Sequence, residues 1–335
     1  MSKDQKIVLT GDRPTGKLHL GHFVGSIKNR VKLQDEADKS FYMVADIQAL
    51  TDNSDNPDKV RNNVLEVALD NLACGLDPKK TIMFIQSEIP EIAELTVLFL
   101  NLVTLARLKR NPTVKSEMKD KGYGEDVPAG FLAYPVSQAA DILFAKSNLI
   151  PVGEDQLPVI EQVNEIVDDF NRLYGKTFDR VKHLVGEIPR LVGIDGNSKM
   201  SKSLNNCIYL SDNLEEISRK VMNMYTDPKH IHVEDKGNVE GNVVFSYLDI
   251  FDSNKEEVEK LKEQYRNGGL GDVVIKKRLI EILVKVIEPI RTKRADFAKN
   301  PELVMNILKE GTEKAREVAR YTMIEVKKAV KIDYF

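Results

Sequence analysis

The chain opens on a short apolar and β-branched run, Lys6-Ile7-Val8-Leu9-Thr10, stopped by Gly11 and followed by Gly16, Gly21 and Gly25 before a long mixed segment. That order predicts a strand, a glycine-rich turn and a helix. Further strands are predicted at 41–45, closed by Asp46, at 81–85, at 149–152 and at 191–194. Between the second and third, Val60, Val64, Val67, Ala68 and Leu72 repeat at helical spacing, and Gly75 stands where a helix would end. Strands alternating with helices imply a parallel sheet, whose ligands bind outside the C-terminal ends of its strands. From 91 to 110 apolar residues (Leu95, Val97, Leu98, Phe99, Leu100, Leu102, Val103, Leu105) occupy nearly every side of a helix, so this segment is either internal core or a subunit interface. After Ser203 the pattern changes to charged amphipathic helices at 214–224, 255–266, 273–287 and 303–330. The expected architecture is α/β: a Rossmann-type catalytic domain over 1–203 with a helical insertion at about 90–145, then an all-helical domain over 204–335.

Composition narrows the function classes. With 335 residues, 42% hydrophobic and 30% charged, the chain is long enough for two domains and reads as a folded soluble protein. Its longest uncharged stretches, 95–106 and 127–140, fall short of the ~18 apolar residues of a membrane span. The charged N-terminus lacks an apolar leader segment, which points to a cytoplasmic protein. Cys74 and Cys207, the two cysteines, have no partners at metal-ligand spacing, so neither a disulfide framework nor a zinc site is expected. A net charge of −3 excludes a histone-like polycation but leaves room for a local basic patch.

Two motifs carry chemistry. The first, Gly11-Asp12-Arg13-Pro14-Thr15-Gly16-Lys17-Leu18-His19-Leu20-Gly21-His22, sits where the first strand passes into the first helix. Free N–H groups and positive potential at a helix start suit phosphate, two imidazoles three residues apart can face one anion, and Gly21 lets a flat base approach the backbone. The second, Asn197-Ser198-Lys199-Met200-Ser201-Lys202-Ser203, follows Gly193 and Gly196. Two lysines on a glycine-hinged loop make a mobile cationic clamp for a polyphosphate. Read singly, each is a common surface turn; the pair is what is specific.

Together these motifs make the chain resemble the class I aminoacyl-tRNA synthetases: His19 to His22 matches the family's "HIGH" signature, and Lys199 to Ser203 reads "KMSKS" unchanged. Tyr134-Pro135-Val136-Ser137-Gln138-Ala139-Ala140-Asp141, Val152-Gly153-Glu154-Asp155-Gln156 and Gly241-Asn242-Val243-Val244-Phe245-Ser246-Tyr247-Leu248-Asp249 are similar to the tryptophanyl branch in order and spacing. The resemblance implies ATP, Mg²⁺, L-tryptophan and tRNA(Trp) as ligands, a homodimer, and a two-step reaction through tryptophanyl-adenylate. It places Arg13, Pro14, Thr15, His19, Gly21 and His22 at ATP. Lys199 and Lys202 would hold the departing pyrophosphate, with Met200, Ser201 and Ser203 beside the nucleotide, and Gly153, Glu154 and Asp155 would hold the ribose.

For the amino acid, the resemblance puts Asp141 opposite the indole N–H and Tyr134 and Gln156 at the α-ammonium, with Gly11, Leu9, Gln48 and Gln138 lining the pocket. An indole nitrogen only donates, so an acceptor-only carboxylate complements it, and such a site rejects phenylalanine by roughly 10⁴-fold or more. Leu9 stands where the tyrosyl branch has a tyrosine for the substrate hydroxyl. Leu9, Gln48 and Gln138 also depart from the residues common in the tryptophanyl branch (an aromatic, a histidine and a methionine), and Arg13 replaces a more frequent glutamine. A tyrosyl enzyme, or a paralogue that binds without charging, is the alternative reading. Lys293, Arg294, Lys314, Arg316, Arg320, Lys327 and Lys328 give the helical end a basic character compatible with tRNA phosphates or with a solvated helix face.

Overall fold

The computed structural model describes residues 5–124, 126–185, 191–196 and 200–335. In chain order the elements are β1 (Ile7–Asp12), a continuous helical run of α1 (Leu20–His22), a π-helical turn (Phe23–Ile27) and α2 (Lys28–Glu36), then β2 (Lys39–Val44), α3 (Asp46–Leu50), α4 (Pro57–Ala73) and β3 (Thr81–Ile85). There follow α5 (Pro90–Leu100), α6 (Leu105–Arg110), α7 (Pro112–Asp120), α8 (Ala129–Leu143), β4 (Leu149–Val152), α9 (Leu157–Tyr174) and β5 (Lys182–Val185). The remainder is helical: α10 (Leu214–Met222), α11 (Val243–Phe251), α12 (Lys255–Asn267), α13 (Asp272–Ala298) and α14 (Pro301–Ala329).

Contacts divide the described residues into two units, one drawn from Met1–Gly16, Asn29–Gly186 and Asn300–Phe335, the other from Lys17–Lys28 and Glu187–Lys299. The first holds a five-stranded sheet in the order β3-β2-β1-β4-β5, with every pairing parallel. This is a Rossmann-type α/β sheet. Ile7 pairs with Lys39 and Asp12 with Val44, while on the other side Val8 pairs with Leu149. The chain therefore leaves β1 in one direction and returns beside it as β4 on the other. The switch of direction opens a crevice at the C-terminal ends of these two strands, where Gly11 and Gly153 lie. Strand β2 is buried along nearly its whole length, as both-face coverage of a parallel sheet requires. Phe41, Phe84 and Phe144 meet edge-on at centroid distances of 5.4–6.5 Å, and Phe99, Phe170 and Phe178 form a second such group.

Four strands lie where the apolar runs predict them. The fifth does not: it is Lys182–Val185, and 191–194 stays outside the sheet. Lys182-His183-Leu184 is exposed, so this edge strand carries no two-sided apolar run to be read. The apolar segment from 91 to 110 is two helices, not one. Ile92, Leu95 and Phe99 enter the core, whereas Val97, Leu100 and Leu105 remain exposed.

Sequence pattern assigns everything after 203 to one helical domain, yet α14 packs on β3 of the first unit. Gly311 makes this possible, since a Cβ there would stand 1.9 Å from the Met83 carbonyl oxygen. Beside it the Thr312 hydroxyl accepts from the Ile85 N–H at 3.2 Å, so α14 satisfies part of the open sheet edge. Arg316 reaches the Glu88 carbonyl, and Lys327 pairs with Glu94 at 2.9 Å.

The second unit is built on α13, whose Ile275, Leu279, Leu283 and Ile287 form a buried stripe four residues apart. The buried Lys276 ammonium donates to the Met222 and Met224 carbonyls at 2.9 Å each, capping the end of α10. No helix among the described residues is long and apolar enough to cross a membrane.

Candidate active site

In the second unit, the first motif closes a short antiparallel contact in which Leu20 N–H donates to the Ile208 carbonyl and Leu210 N–H to the Leu18 carbonyl, both at 3.0 Å. His19 caps the helical run that starts at Leu20. Its Nδ1 accepts from Gly21 N–H at 3.1 Å, and His22 Nδ1 accepts in return from His19 N–H at 3.3 Å. The ring centroids are 3.9 Å apart. A ring nitrogen that accepts an amide proton carries none itself, so each imidazole keeps Nε2 as its donor. The two histidines are thus oriented as a pair of neutral N–H donors. Gly21 lies tight against the His19 ring, 3.0 Å from where a Cβ would stand, so any side chain there would push on the imidazole.

The second motif is seen from Met200 onward; Lys199 lies outside the described residues, as does the Ser203 side chain. Met200 is buried, with its N–H on the Leu191 carbonyl at 3.2 Å. Asn206, also buried, accepts from Ser201 N–H at 2.7 Å and donates to Asp195 at 3.1 Å. Asn206 therefore ties the loop to the turn that precedes it, a role no motif announces.

In the first unit, the expected amino-acid-site residues lie on α8 and at or near the C-terminal ends of the strands. Tyr134, Gln138 and Asp141 share one face of α8, four and three residues apart. The Gln138 side-chain carbonyl is buried without a hydrogen-bond partner among the described residues, and the buried Tyr134 hydroxyl faces the Glu117 carboxyl. Unsatisfied buried polar atoms are costly and mark where a ligand or water completes the structure. Burial, with the neighbouring Glu117 carboxyl, pushes the Tyr134 hydroxyl far above the ordinary tyrosine range and keeps it a neutral donor. Glu117 on α7 is itself raised by burial, offset by Arg13.

Asp141 is 1% exposed. Its Oδ1 accepts from Gln86 Nε2 at 2.7 Å and its Oδ2 from Gln48 Nε2 at 3.3 Å. Burial raises its pKa to about 7 against the pull of both amides, with the Asp46 carboxylate adding to the rise. Leu9 is buried in β1, and at Gly11 a Cβ would meet the Met43 carbonyl oxygen at 2.8 Å. Arg13, half exposed, pairs with Asp52 at 2.8 Å, and Lys121 joins the same carboxylate at 3.2 Å. Pro14 is buried beside it, and Thr15 N–H donates to the Arg13 carbonyl at 2.8 Å. Beyond β4, the Asp155 side chain folds back to within 2.7 Å of where a Cβ on Gly153 would lie. Gln156 turns its amide to Asp155 at 3.1 Å, and Glu154 is exposed.

Below this floor lies a network that pattern reading does not find. The buried Arg30 guanidinium grips Asp12 at 2.7 and 3.3 Å, also donates to Asn71, and lies 4.7 Å from the Tyr42 ring centroid. The Tyr42 hydroxyl and Asn71 amide donate to the same Asp12 carboxylate at 3.2 and 3.0 Å. This fixes the end of β1 immediately before Arg13. Gln86, Glu117, Asp52 and Asn206 were equally silent, although a polar residue directly after the third strand, as Gln86 is, stands at the functional end of a parallel sheet.

A parallel sheet with a switch-point crevice, a paired-histidine helix start and a lysine loop define a nucleotide-using α/β enzyme. The family model "tRNA synthetases class I (W and Y)" matches residues 1–288, and the chain belongs to that family. It is 58% identical to the tryptophan–tRNA ligase of Clostridium longisporum over 99% of this chain and 98% of that one. The corresponding ligase of Streptococcus pyogenes is 54% identical over 98% and 99%. Among solved structures, the tryptophanyl-tRNA synthetase of Campylobacter jejuni complexed with ADP and tryptophan superposes with a TM-score of 0.84 at 29% identity, covering 97% of this chain and 99% of that one.

Proposed function

We propose that the chain is a tryptophan–tRNA ligase: it activates L-tryptophan with ATP and transfers it to tRNA(Trp). In the first step a tryptophan carboxylate oxygen bonds to the α-phosphorus, the bond from that phosphorus to the bridging oxygen breaks, and pyrophosphate leaves. In the second a ribose hydroxyl at the tRNA 3′ end attacks the activated carbonyl and AMP departs, the hydroxyl proton being released. Neither step uses a protein nucleophile. The protein aligns reactants and stabilises charge on the phosphates.

The observation that carries the choice of amino acid is the buried Asp141 carboxyl group, held by amide donors and flanked on α8 by Tyr134 and by the unpartnered Gln138 carbonyl. Its remaining lone pairs suit a donor-only indole N–H. Tyr134 and Gln156 are assigned to the substrate's ammonium end, with Leu9, Gly11, Gln48 and Gln138 around the ring. His19 and His22 are assigned to donate through Nε2 to ATP oxygens, and Arg13, Pro14, Thr15 and Gly21 are assigned to the same nucleotide. Lys199 and Lys202 take up charge on the leaving pyrophosphate, with Met200, Ser201 and Ser203 flanking them, and Mg²⁺ enters with the ATP phosphates. Gly153, Glu154 and Asp155 take the ribose diol. The exposed Val97, Leu100 and Leu105 are assigned to a homodimer contact, and the basic helical end to tRNA phosphates, in a cytoplasmic enzyme.

ATP–pyrophosphate exchange tests the reading directly. Exchange that depends on L-tryptophan, ignores L-tyrosine and proceeds to charged tRNA supports it. Exchange driven by tyrosine, or adenylate without transfer, replaces it with one of the alternatives.

A further inference from the structure

Resting on the reading of Asp141 just given, we infer that Gln86 is the residue that makes Asp141 a reader of the indole N–H: it fixes the orientation of the carboxyl group and favours its acceptor-only form.

Three buried polar residues close a ring of hydrogen bonds. Gln86 Nε2 donates to Asp141 Oδ1 at 2.7 Å, Gln86 Oε1 accepts from Gln48 N–H at 3.1 Å, and Gln48 Nε2 donates to Asp141 Oδ2 at 3.3 Å. Gln86 is 1% exposed and Gln48 7%, so water does not substitute for these bonds. The backbone N–H of Gln48 settles which way the Gln86 amide points. Flipped, Gln86 would set its NH₂ against an N–H and its carbonyl against a carboxylate, losing both bonds at once. An amide locked by a backbone donor is therefore a fixed donor toward Asp141. The shorter bond comes from Gln86 and the longer one from Gln48, which makes Gln86 the principal partner.

A ligand N–H binds the ionised carboxyl better, because protonation puts a hydrogen on one oxygen and leaves the other a weaker, uncharged acceptor. The charged group acting on Asp141 is Asp46, at the start of α3, which opposes ionisation; Gln86 and Gln48 favour it. Each oxygen spends one lone pair on the ring and keeps one for the ligand. Gln86 touches neither substrate nor nucleotide in this scheme, so it is a positioning residue.

The chain contains no tryptophan, so emission excited at the red edge of indole absorption comes from L-tryptophan and not from the protein, and its change on binding reports occupancy. We would titrate L-tryptophan from pH 5.5 to 9 with the full-length wild type, Gln86→Leu, the near-isosteric Gln86→Glu and Asp141→Asn, with ATP binding and thermal melting followed in parallel. Wild-type affinity is expected to rise through about pH 7 and level off. Gln86→Leu is expected to lose about tenfold at neutral pH, recover most of it at pH 9, and move the midpoint upward, with KM for tryptophan raised and kcat within about threefold. Gln86→Glu should shift the midpoint the same way and serves if the leucine variant does not fold. A pH-independent loss in both variants, or a fall in kcat at unchanged KM, overturns the inference. Asp141→Asn separates the two levels: if it leaves tryptophan affinity intact, the reading of Asp141 itself is wrong; if it abolishes binding while neither Gln86 variant moves the midpoint, only the role of Gln86 fails.

Discussion

A buried acid poised near neutrality is a stability liability when the site is empty, and Asp141 allows its size to be worked out. An unfolded Asp ionises near pH 3.8, whereas the folded protein holds Asp141 protonated up to about 7. Between these limits the unfolded chain gives up a proton that the folded one keeps, so this group subtracts stability as pH rises from about 4 to about 7 and subtracts no more above it. Integrating that difference gives a contribution more unfavourable by about 2.5 kcal/mol at pH 8 than at pH 5. Asp141→Asn removes the titration while keeping an oxygen for Gln86; its misfit against the Gln48 amide costs about 1–2 kcal/mol, the same at both pH values. The stability of the variant relative to wild type should therefore improve by about 2.5 kcal/mol between pH 5 and pH 8, even as tryptophan binding is lost. Urea unfolding of the ligand-free proteins at the two pH values measures this, provided both unfold in a single transition with equal slopes. A relative stability that stays constant within about 0.5 kcal/mol, or that moves the other way, would refute the burial argument.

Lys202→Ala should lower the rate of adenylate formation about 10²-fold or more while leaving tryptophan affinity unchanged, because its charge is needed as pyrophosphate separates; equal loss in both, measured by pyrophosphate exchange and ligand emission, would show a different role. Arg30→Met removes the guanidinium from the buried Asp12 carboxylate, which the Tyr42 and Asn71 donors do not replace, and should cost about 3 kcal/mol in urea unfolding, with a double replacement of Asp12 and Arg30 recovering part of it. Gly311→Ala forces a carbon onto the Met83 carbonyl at 1.9 Å, so α14 must shift off β3; a loss of at least about 2 kcal/mol is expected, together with faster hydrogen exchange along β3.

What could be read from the sequence, and what could not, follows the range of the interactions involved. Strands β1 to β4 were legible because a parallel strand covered on both faces must be apolar on both, whereas β5 is a polar edge and was displaced in expectation to the apolar 191–194. The return of α14 to the sheet turns on Gly311, and nothing in a single sequence distinguishes a glycine that admits a neighbouring backbone from one that merely weakens a helix. The site divides in the same way. His19 and His22, three residues apart, and Lys202 beside Met200 act through local backbone geometry, so their spacing announces them. Asp141 was found on a motif, but the groups that set its charge approach from 55 and 93 residues away along the chain, as Gln86 and Gln48. A side chain that binds ligand can thus be visible at short range while the groups that give it the right protonation state become visible only once the chain has folded. If Asp141 reads the indole as proposed, the identity of the acceptor and its operating pH are separable properties of this pocket, the first written at position 141 and the second at positions 48 and 86.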